Sequence, residues 1–289
     1  MYIRVTLLTL ALCCLWFPVC AVVDSDMKFV DLTHLVGDRE NPPGSPPFNL
    51  TRILTMNIRP GIVAEANAFS TPEHRGTHID APLHFCPSGV PVGDIPIQQL
   101  SGPGFVLDLT AEAEANPDFE VTTQTLTNFE KVHGRIQDGA VVLFNFGWDK
   151  FWPDMNRVYN SESMLVGTYH YPGLSPSASR WLTSNRKVHA VGSDTPSIDY
   201  GLTTLYETHV NLLCDNGVII LENVANLGNM TATGSRVYIG AMKLERGSGT
   251  PARIFATLDS GSEATRAPGP AAVVALVVFP VLQALQISA

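Results

Sequence analysis

The chain has few cysteines for a protein of 289 residues. Only 5 are present, and Cys13, Cys14 and Cys20 all fall near the N-terminus. The remaining two, Cys86 and Cys214, could form one bridge, but they cannot make a disulfide-rich scaffold. We therefore expect a hydrophobic core to stabilise the fold, and a content of 45% hydrophobic residues allows one.

Positive charge is also scarce. The 18 Lys and Arg residues face 27 Asp and Glu, which gives a net charge of -9. No basic stripe is available to bind phosphates, and this argues against a nucleic acid as ligand. The sequence also lacks the G-x-S-x-G pattern of a nucleophilic serine elbow, so a serine mechanism of the α/β-hydrolase type finds no support.

Both ends of the chain resemble processing signals. Residues 1–21 combine one basic residue, an apolar run and a small-residue exit, which predicts a secretory signal peptide. The tail 261–289 predicts a glycosylphosphatidylinositol (GPI) anchor signal with attachment at Ser260, and a C-terminal membrane helix is the alternative. We expect an extracellular protein that a lipid anchor holds at the membrane surface. Sequons at Asn49 and Asn229 predict N-glycosylation.

One α/β domain is predicted for residues 22–260, since neither a repeat nor a low-complexity linker divides them. Eight short apolar runs rich in β-branched residues, from KFVDL to ARIFATL, predict strands. Segments that begin with capping residues and end near Gly or Asn predict helices over 121–133, 175–185 and 203–217.

The stretch EHRGTHIDAPLHF, residues 73–85, holds three histidines and an aspartate. His78 and Asp80 alternate as on a strand and share one face. Gly76 permits a turn that brings His74 beside them. Two neutral imidazoles and a carboxylate are a common ligand set for a catalytic Zn²⁺ or Mn²⁺ ion. A histidine-rich surface patch is the alternative, and the dense spacing favours the metal site.

Two residues in the second half of the chain are further candidates for metal ligands. His209 shares the inward face of its predicted helix with leucines, where a hydrogen-bonded core histidine is the more common outcome. Glu222 directly follows the apolar strand VIIL. Burial of its carboxylate would be costly without a cation or another partner.

The motif HRGTHIDAPLH is similar to the H-x-G-T-H-x-D-x-P-x-H signature of the cyclase family, which includes bacterial-type kynurenine formamidases and isatin hydrolases. The likeness extends through YPGLSPSASRWL, VGSDTPSIDYG and RVYIGAMKLERGSGTPARIFA over most of residues 28–258. It implies a single compact α/β domain of the swivelling β/β/α type, with a mixed sheet and flanking helices. It also implies assembly as a homodimer or homotetramer.

The resemblance assigns roles to particular residues. The implied ligands of one or two Zn²⁺ ions, with Mn²⁺ as an alternative, are His74, His78, Asp80, His209 and Glu222. Asp80 would bridge the two ions, and His84 would act as the acid and base.

The expected activity is hydrolysis of an aryl formamide, with N-formylkynurenine as the leading substrate and kynurenine and formate as products. A cyclic aryl amide such as isatin is the alternative substrate. A surface-anchored binding protein with a degenerate site is the alternative of another class. A proline-rich loop over 37–48 and an aromatic-rich loop over 148–172 place Phe48, Trp148 and Trp152 as candidate substrate contacts, with core packing an equal alternative.

Overall fold

The computed structural model describes residues 27–258. The predicted signal peptide, Ser260 and the predicted anchor signal lie outside this range. Within it, no helix has both the length and the apolar character that a bilayer crossing requires. The described part is a mixed α/β domain.

Twelve strands follow one another along the described chain. They are β1 (Lys28–Asp31), β2 (Asn49–Arg59), β3 (Ile62–Ser70), β4 (His78–Asp80), β5 (Ser101–Asp108), β6 (Glu120–Val121), β7 (Val141–Asn145), β8 (Gly173–Leu174), β9 (Ala190–Ser193), β10 (Ile219–Glu222), β11 (Ser235–Ala241) and β12 (Gly249–Leu258). The helices are α1 (Thr110–Ala115), α2 (Thr123–His133), α3 (Met155–Tyr159), α4 (Pro176–Asn185) and α5 (Glu207–His209), and α5 continues as a π-helix over Val210–Asp215. Short 3₁₀ turns lie between these elements, and that at Pro82–His84 belongs to the histidine motif.

The main sheet is mixed and closes on itself. Its strand order is β1-β12-β11-β5-β7-β9-β10-β4, and β4 also pairs with β12. Seven strands therefore form a barrel-like ring, with β1 attached outside it on β12. The strands from β5 through β7 and β9 to β10 run parallel, while β4, β11 and β12 pair antiparallel with their neighbours. The predicted mixed sheet is confirmed. Closure of this sheet into a ring was not predicted.

Each face of the sheet supports its own apolar core. Along β7, Val142 and Phe144 pack into one cluster with the helices, whereas Val141 and Leu143 pack into the other. This alternation is the side-chain period of two that a strand imposes. The continuous apolar runs in the sequence therefore reflect strands that are buried on both faces.

The helix boundaries follow the capping residues. The hydroxyl of Thr122 accepts a hydrogen bond from the backbone N–H of Thr125 at the start of α2, and Ser175 does the same for Ala178 at α4.

The predicted helix over 203–217 is shorter than expected, since it begins at Glu207 after Tyr206 in the left-handed region. A positive φ at a bulky residue interrupts any helix that begins earlier.

Strands β2 and β3 form a separate hairpin that projects from the domain. All of β2 and all but one residue of β3 are exposed. Large apolar side chains on this ribbon are Leu50, Ile53, Leu54, Met56, Ile58, Ile62, Val63 and Phe69, and each is at least 45% exposed. Asn49 at its base and Asn229 elsewhere are also exposed, but glycosylation of either stays a prediction.

A disulfide joins Cys86 to Cys214 across 128 residues. Cys86 lies two residues after His84, and Cys214 lies in the π-helix that continues from His209. The bridge thus connects two segments that each carry a histidine of interest.

Replacement of both bridge cysteines by alanine should lower the free energy of unfolding by about 2–5 kcal/mol, because the denatured chain is no longer cross-linked over a long loop. Denaturant unfolding followed by circular dichroism measures the change. Wild-type protein treated with a reductant serves as the control and should show a comparable loss. A double variant with unchanged stability would contradict the prediction.

Candidate metal centre

Backbone pairing brings the motif residues and the distant carboxylate together. The short strand β4 carries His78 and Asp80 and pairs antiparallel with β10, so that His78 lies directly opposite Glu222. The α5 helix supplies His209 from a third direction. All four side chains are at most 5% exposed, and the structure therefore gathers two imidazoles and two carboxylates in one buried cluster.

The atoms of this cluster converge at distances suited to a shared ion. His78 Nε2 lies 3.3 Å from Asp80 Oδ1 and 3.3 Å from Glu222 Oε2. His209 Nε2 lies 3.2 Å from Glu222 Oε1 and 3.5 Å from Asp80 Oδ2. Glu222 Oε1 also accepts a hydrogen bond from the backbone N–H of Ile198 at 3.0 Å, which fixes its carboxylate.

His74 reaches the same aspartate from the preceding turn. Gly76 adopts φ +63°, the left-handed region that glycine tolerates and other residues rarely adopt, and this folds the chain back before β4. His74 Nδ1 lies 2.7 Å from Asp80 Oδ1, and His74 Nε2 lies 2.9 Å from Ser248 Oγ. Since the Ser248 hydroxyl donates its proton to Glu73, His74 must donate to Ser248 through Nε2.

The other ring nitrogens of the two buried histidines are also fixed. His78 Nδ1 donates to the carbonyl oxygen of Gly76 at 2.9 Å, and His209 Nδ1 donates to Asp199 Oδ2 at 2.6 Å. The same aspartate accepts the backbone N–H groups of Thr208 and His209. Both imidazoles therefore present Nε2 to the cluster, as metal-binding histidines with outer-shell partners do.

Charge balance shapes the pKa values in the cluster. Burial would lower the pKa of His78, but the neighbouring Asp80 and Glu222 outweigh it and raise that pKa to about 10. Burial likewise opposes the raised pKa of His209, which the hydrogen bond to Asp199 and the nearby carboxylates of Asp80 and Glu222 hold well above the usual value. The pKa values of Asp80 and Glu222 are lowered despite burial, through the histidines. Without a cation, two protons balance the two carboxylates.

One atom in the cluster has no hydrogen-bond partner, although His209 Nε2 lies 3.5 Å from it. Asp80 Oδ2 is buried and accepts no hydrogen bond from any residue in the described part of the chain. A buried carboxylate oxygen without a partner is costly, and bound cations commonly supply the missing interaction. The candidate ligand atoms of His74, His78 and Asp80 lie within 4.8 Å of one another, as do those of Asp80, His84 and His209. These residues fit a divalent cation with nitrogen and oxygen ligands.

His84 stands at the edge of the cluster on the 3₁₀ turn that follows β4. Its ring stacks on that of His74 with centroids 3.8 Å apart, and the His209 ring is 6.0 Å away. His84 is exposed, whereas His78, Asp80 and His209 are buried and His74 is half-buried. Desolvation by its surroundings, opposed mainly by Asp80, lowers the pKa of His84 to about 4, so the imidazole is neutral at pH 7.

A cavity of about 200 Å³ opens onto the cluster. Its walls include Trp152, Met155 and Tyr159 from the predicted aromatic loop. Trp152 is supported from behind by the ring of His34, which stacks on it with centroids 4.5 Å apart. The aromatic-rich loop therefore forms part of the cavity wall, and a substrate contact for Trp152 stays a prediction.

Two of the predicted substrate contacts lie elsewhere. Trp148 is only 5% exposed and packs in the core, where its indole N–H donates to the carbonyl oxygen of Val158. Phe48 stacks on Phe69 at the base of the hairpin and borders a different, apolar cavity of about 400 Å³. The prediction was wrong for these two rings because aromatic content alone does not distinguish a core ring from a cavity wall.

Asp199 and Ser248 were not predicted from the sequence. Both lie in segments that resemble the family, VGSDTPSIDYG and GSGTPAR. Ser248 contacts His74 across 174 residues, whereas Asp199 contacts His209 across 10 residues through the loop before α5. A buried carboxylate near a predicted ligand helix was the available signal for Asp199.

Comparisons with known proteins agree with this geometry. Residues 30–200 match the model of the Cyclase family. The isatin hydrolase of Roseibium aggregatum is 33% identical over 193 residues, which cover 64% of this chain and 71% of that protein. The kynurenine formamidase of Salinibacter ruber is 27% identical over 180 residues, 62% of this chain and 74% of that protein. Isatin hydrolase A from Ralstonia solanacearum superposes with a TM-score of 0.74 at 28% identity, over 82% of this chain and 94% of that one.

Fold, site and relatives together define a hydrolase of mixed α/β architecture with a His/Asp cluster that could hold a metal ion. The chain belongs to the Cyclase family.

Asp199→Asn should weaken the affinity of the cluster for Zn²⁺ about 10- to 100-fold, because His209 loses the anionic partner that orients its ring. Competition with a chromogenic chelator measures this affinity. Asp215→Asn, an exposed change on the π-helix that continues from His209, is the matched control and should have no effect. Equal affinity in the wild type and Asp199→Asn would exclude an orienting role.

Proposed function

We propose that the protein hydrolyses an amide C–N bond of a small aryl amide in a metal-dependent reaction. The observation that carries this proposal is the buried, partnerless oxygen of Asp80 among the imidazoles of His78 and His209, at one end of a cavity walled by Trp152. A carboxylate and a free amine would be the products of a cyclic amide or of a formamide.

The proposed cofactor is Zn²⁺, with Mn²⁺ as the alternative. His74, His78, Asp80, His209 and Glu222 would hold one or two ions. A divalent cation at this position supplies a Lewis acid that polarises a carbonyl group and lowers the pKa of water toward about 7. Both ions accept the nitrogen and oxygen ligands that the cluster offers.

His84 is the proposed acid and base. Its imidazole borders the cavity and lies at the edge of the buried carboxylates rather than between them. The imidazole is neutral at pH 7. It can therefore accept a proton from the attacking water and return it to the departing nitrogen. Proton transfer by a positioned side chain contributes about 10²- to 10⁴-fold in rate.

The cavity favours a flat cyclic aryl amide such as isatin over N-formylkynurenine. The open-chain compound carries an α-ammonium and an α-carboxylate group, and a carboxylate in a pocket usually meets a cationic side chain. Among the described residues that line this cavity, none is Lys or Arg. The isatin hydrolase of Roseibium aggregatum matches the chain over more residues and at greater identity than the kynurenine formamidase of Salinibacter ruber, which supports the same order. N-formylkynurenine remains the second candidate because the formamidase relative spans a similar part of the chain.

Purified protein should hydrolyse isatin, lose the activity on chelation and regain it with Zn²⁺ or Mn²⁺.

In His84→Ala, kcat should fall by about 10²- to 10⁴-fold while metal content stays at the wild-type level, because the proton carrier is removed and the buried ligands remain. Absorbance assays with isatin and N-formylkynurenine, together with elemental analysis, measure both effects.

His133→Ala, an exposed histidine at the end of α2, is the control for this substitution and should keep full activity. Hydrolysis that survives complete removal of metal would refute the mechanism. Turnover of N-formylkynurenine alone would reverse the order of the two substrates. A protein that binds isatin but turns over neither compound would favour the alternative of a binding protein.

We also propose that the chain forms a homodimer or homotetramer through the β2-β3 hairpin. An isolated two-stranded ribbon is at best marginally stable in water, and this one is exposed on both faces. Its 22 residues from Asn49 to Ser70 match the roughly 20–30 residues that each partner contributes to a standard interface. A second copy presents the same apolar ribbon, as a two-fold interface requires.

Leu54→Asp combined with Met56→Asp should shift the protein toward the monomer, because both side chains lie on one face of the ribbon and two charges would have to be buried. Sedimentation velocity measures the mass. Asn57→Asp adds a charge to the opposite face of the same strand and is the comparison. A wild-type protein that is monomeric at micromolar concentration would reject this interface.

A further inference from the structure

Arg75 occupies the variable position of the histidine motif, between His74 and Gly76. The motif specifies no residue type at this position, so a side chain on the surface would be expected. Arg75 is nevertheless only 1% exposed and is the largest of the fully buried side chains. Arginine is rarely buried to this extent unless its charge and donors are matched. Its partners therefore indicate what the residue does.

All the hydrogen bonds of the Arg75 side chain go to the proline-rich arm, which we define as residues 37–48. Nε donates to the Glu40 carboxylate at 3.4 Å, and the terminal nitrogens donate to the carbonyl oxygens of Gly37 at 3.0 Å, Pro46 at 3.1 Å and Glu40 itself. Glu40 is 1% exposed, and its carboxylate also accepts the backbone N–H of Gly37. One guanidinium thus holds both ends and the middle of the arm.

The arm has little else to define its conformation. It contains no helix or strand, and four of its residues are prolines, which lack the N–H donor that sheet pairing needs. Its internal backbone bond joins Ser45 N–H to the Pro42 carbonyl oxygen at 3.1 Å. Without Arg75, the buried carbonyl group of Glu40 and the part-buried ones of Gly37 and Pro46 would lose these donors.

The arm also forms part of the cavity at the metal centre. Pro42 lines that cavity together with His74, Gly76 and Trp152. The position of Pro42 thus depends on Arg75, whose backbone is continuous with His74. Four donor contacts leave the guanidinium committed to the arm, so Arg75 is not a free cation for a substrate carboxylate.

We propose that Arg75 and Glu40 form an internal clamp that positions the proline-rich arm and thereby determines which substrates the cavity admits. Arg75 is a positioning residue, since it acts through the arm and contacts no reacting atom. This inference rests on the proposed function for its substrate, but the clamp itself is a property of the described contacts. Lysine cannot replace arginine here, because one ammonium group cannot match the planar fork that reaches four acceptors.

Arg75→Lys and Glu40→Gln test the clamp, since both keep the size of the side chain and reduce the risk of misfolding. Hydrogen exchange over residues 37–48 should accelerate by about fivefold or more in each variant, because the arm opens locally. For isatin, KM should rise while kcat stays within about twofold of the wild-type value. Selectivity against a ring-substituted, bulkier isatin should fall by roughly tenfold. Zn²⁺ affinity should stay within about twofold of wild type, since the ligands are not touched.

Matched controls lie in the same arm. Arg39→Lys and Asp38→Asn make the same kinds of change, arginine to lysine and acid to amide, at exposed positions. They should alter neither the hydrogen exchange of the arm nor the kinetics with isatin. A purely structural role for Arg75 predicts a lower melting temperature with unchanged selectivity, and that outcome overturns the clamp. Metal affinity that falls in parallel with kcat would also overturn it, because Arg75 would then support the ligands rather than the arm.

Failure of the proposed function can be recognised separately. If the wild-type protein hydrolyses neither amide, the proposed activity is wrong, and the clamp is judged by exchange and by the calorimetric affinity for isatin in the metal-loaded protein. Faster exchange with at least about threefold weaker isatin affinity in Arg75→Lys supports the clamp under that condition. Unchanged exchange or unchanged affinity rejects it.

Discussion

The structure depends on the cost of burying two carboxylates in one place. Asp80 and Glu222 are almost inaccessible to solvent, and neither can keep its charge there without a compensating one. His78 and His209 provide that compensation as imidazolium groups when no cation is bound, which is why their pKa values rise against the effect of burial. A dication can take the place of these two protons. Metal binding at this cluster is therefore coupled to proton release, and the affinity for metal should increase with pH.

The geometry of the cluster follows from strand register. Pairing of β10 with β4 sets Glu222 opposite His78, and pairing of β4 with β12 closes the ring. Closure requires close backbone approach at Gly249, where a Cβ atom would lie 2.5 Å from the carbonyl oxygen of Ile79 and 2.6 Å from the His74 ring. Since a one-residue slip would reverse every side chain on β4, the barrel closure and the ligand geometry are specified together.

The sequence predicted the parts of the site that local spacing determines. His74, His78 and Asp80 lie together because a glycine turn and a strand alternation act within seven residues. The position of Glu222 directly after an apolar strand was enough to predict that its carboxylate needs a partner. Asp199 was missed because its contact with His209 depends on how α5 packs, which no local pattern encodes. Trp148 and Phe48 were assigned to the substrate pocket for the converse reason, since composition predicts an aromatic loop but not which ring faces the cavity.

One short motif thus connects the metal centre with the wall of the substrate cavity. His74 extends into the cluster while the next residue, Arg75, extends into the arm, and the left-handed turn at Gly76 separates both from the β4 strand. The His74 side chain contacts Asp80 and Ser248 while the Arg75 side chain contacts only the arm, so the two roles do not compete for space. The ligand positions are constrained by charge and register, whereas the arm is constrained by Arg75 and Glu40. Substrate preference can therefore change through the arm while the metal ligands stay the same, and we expect relatives with different substrates to differ there first.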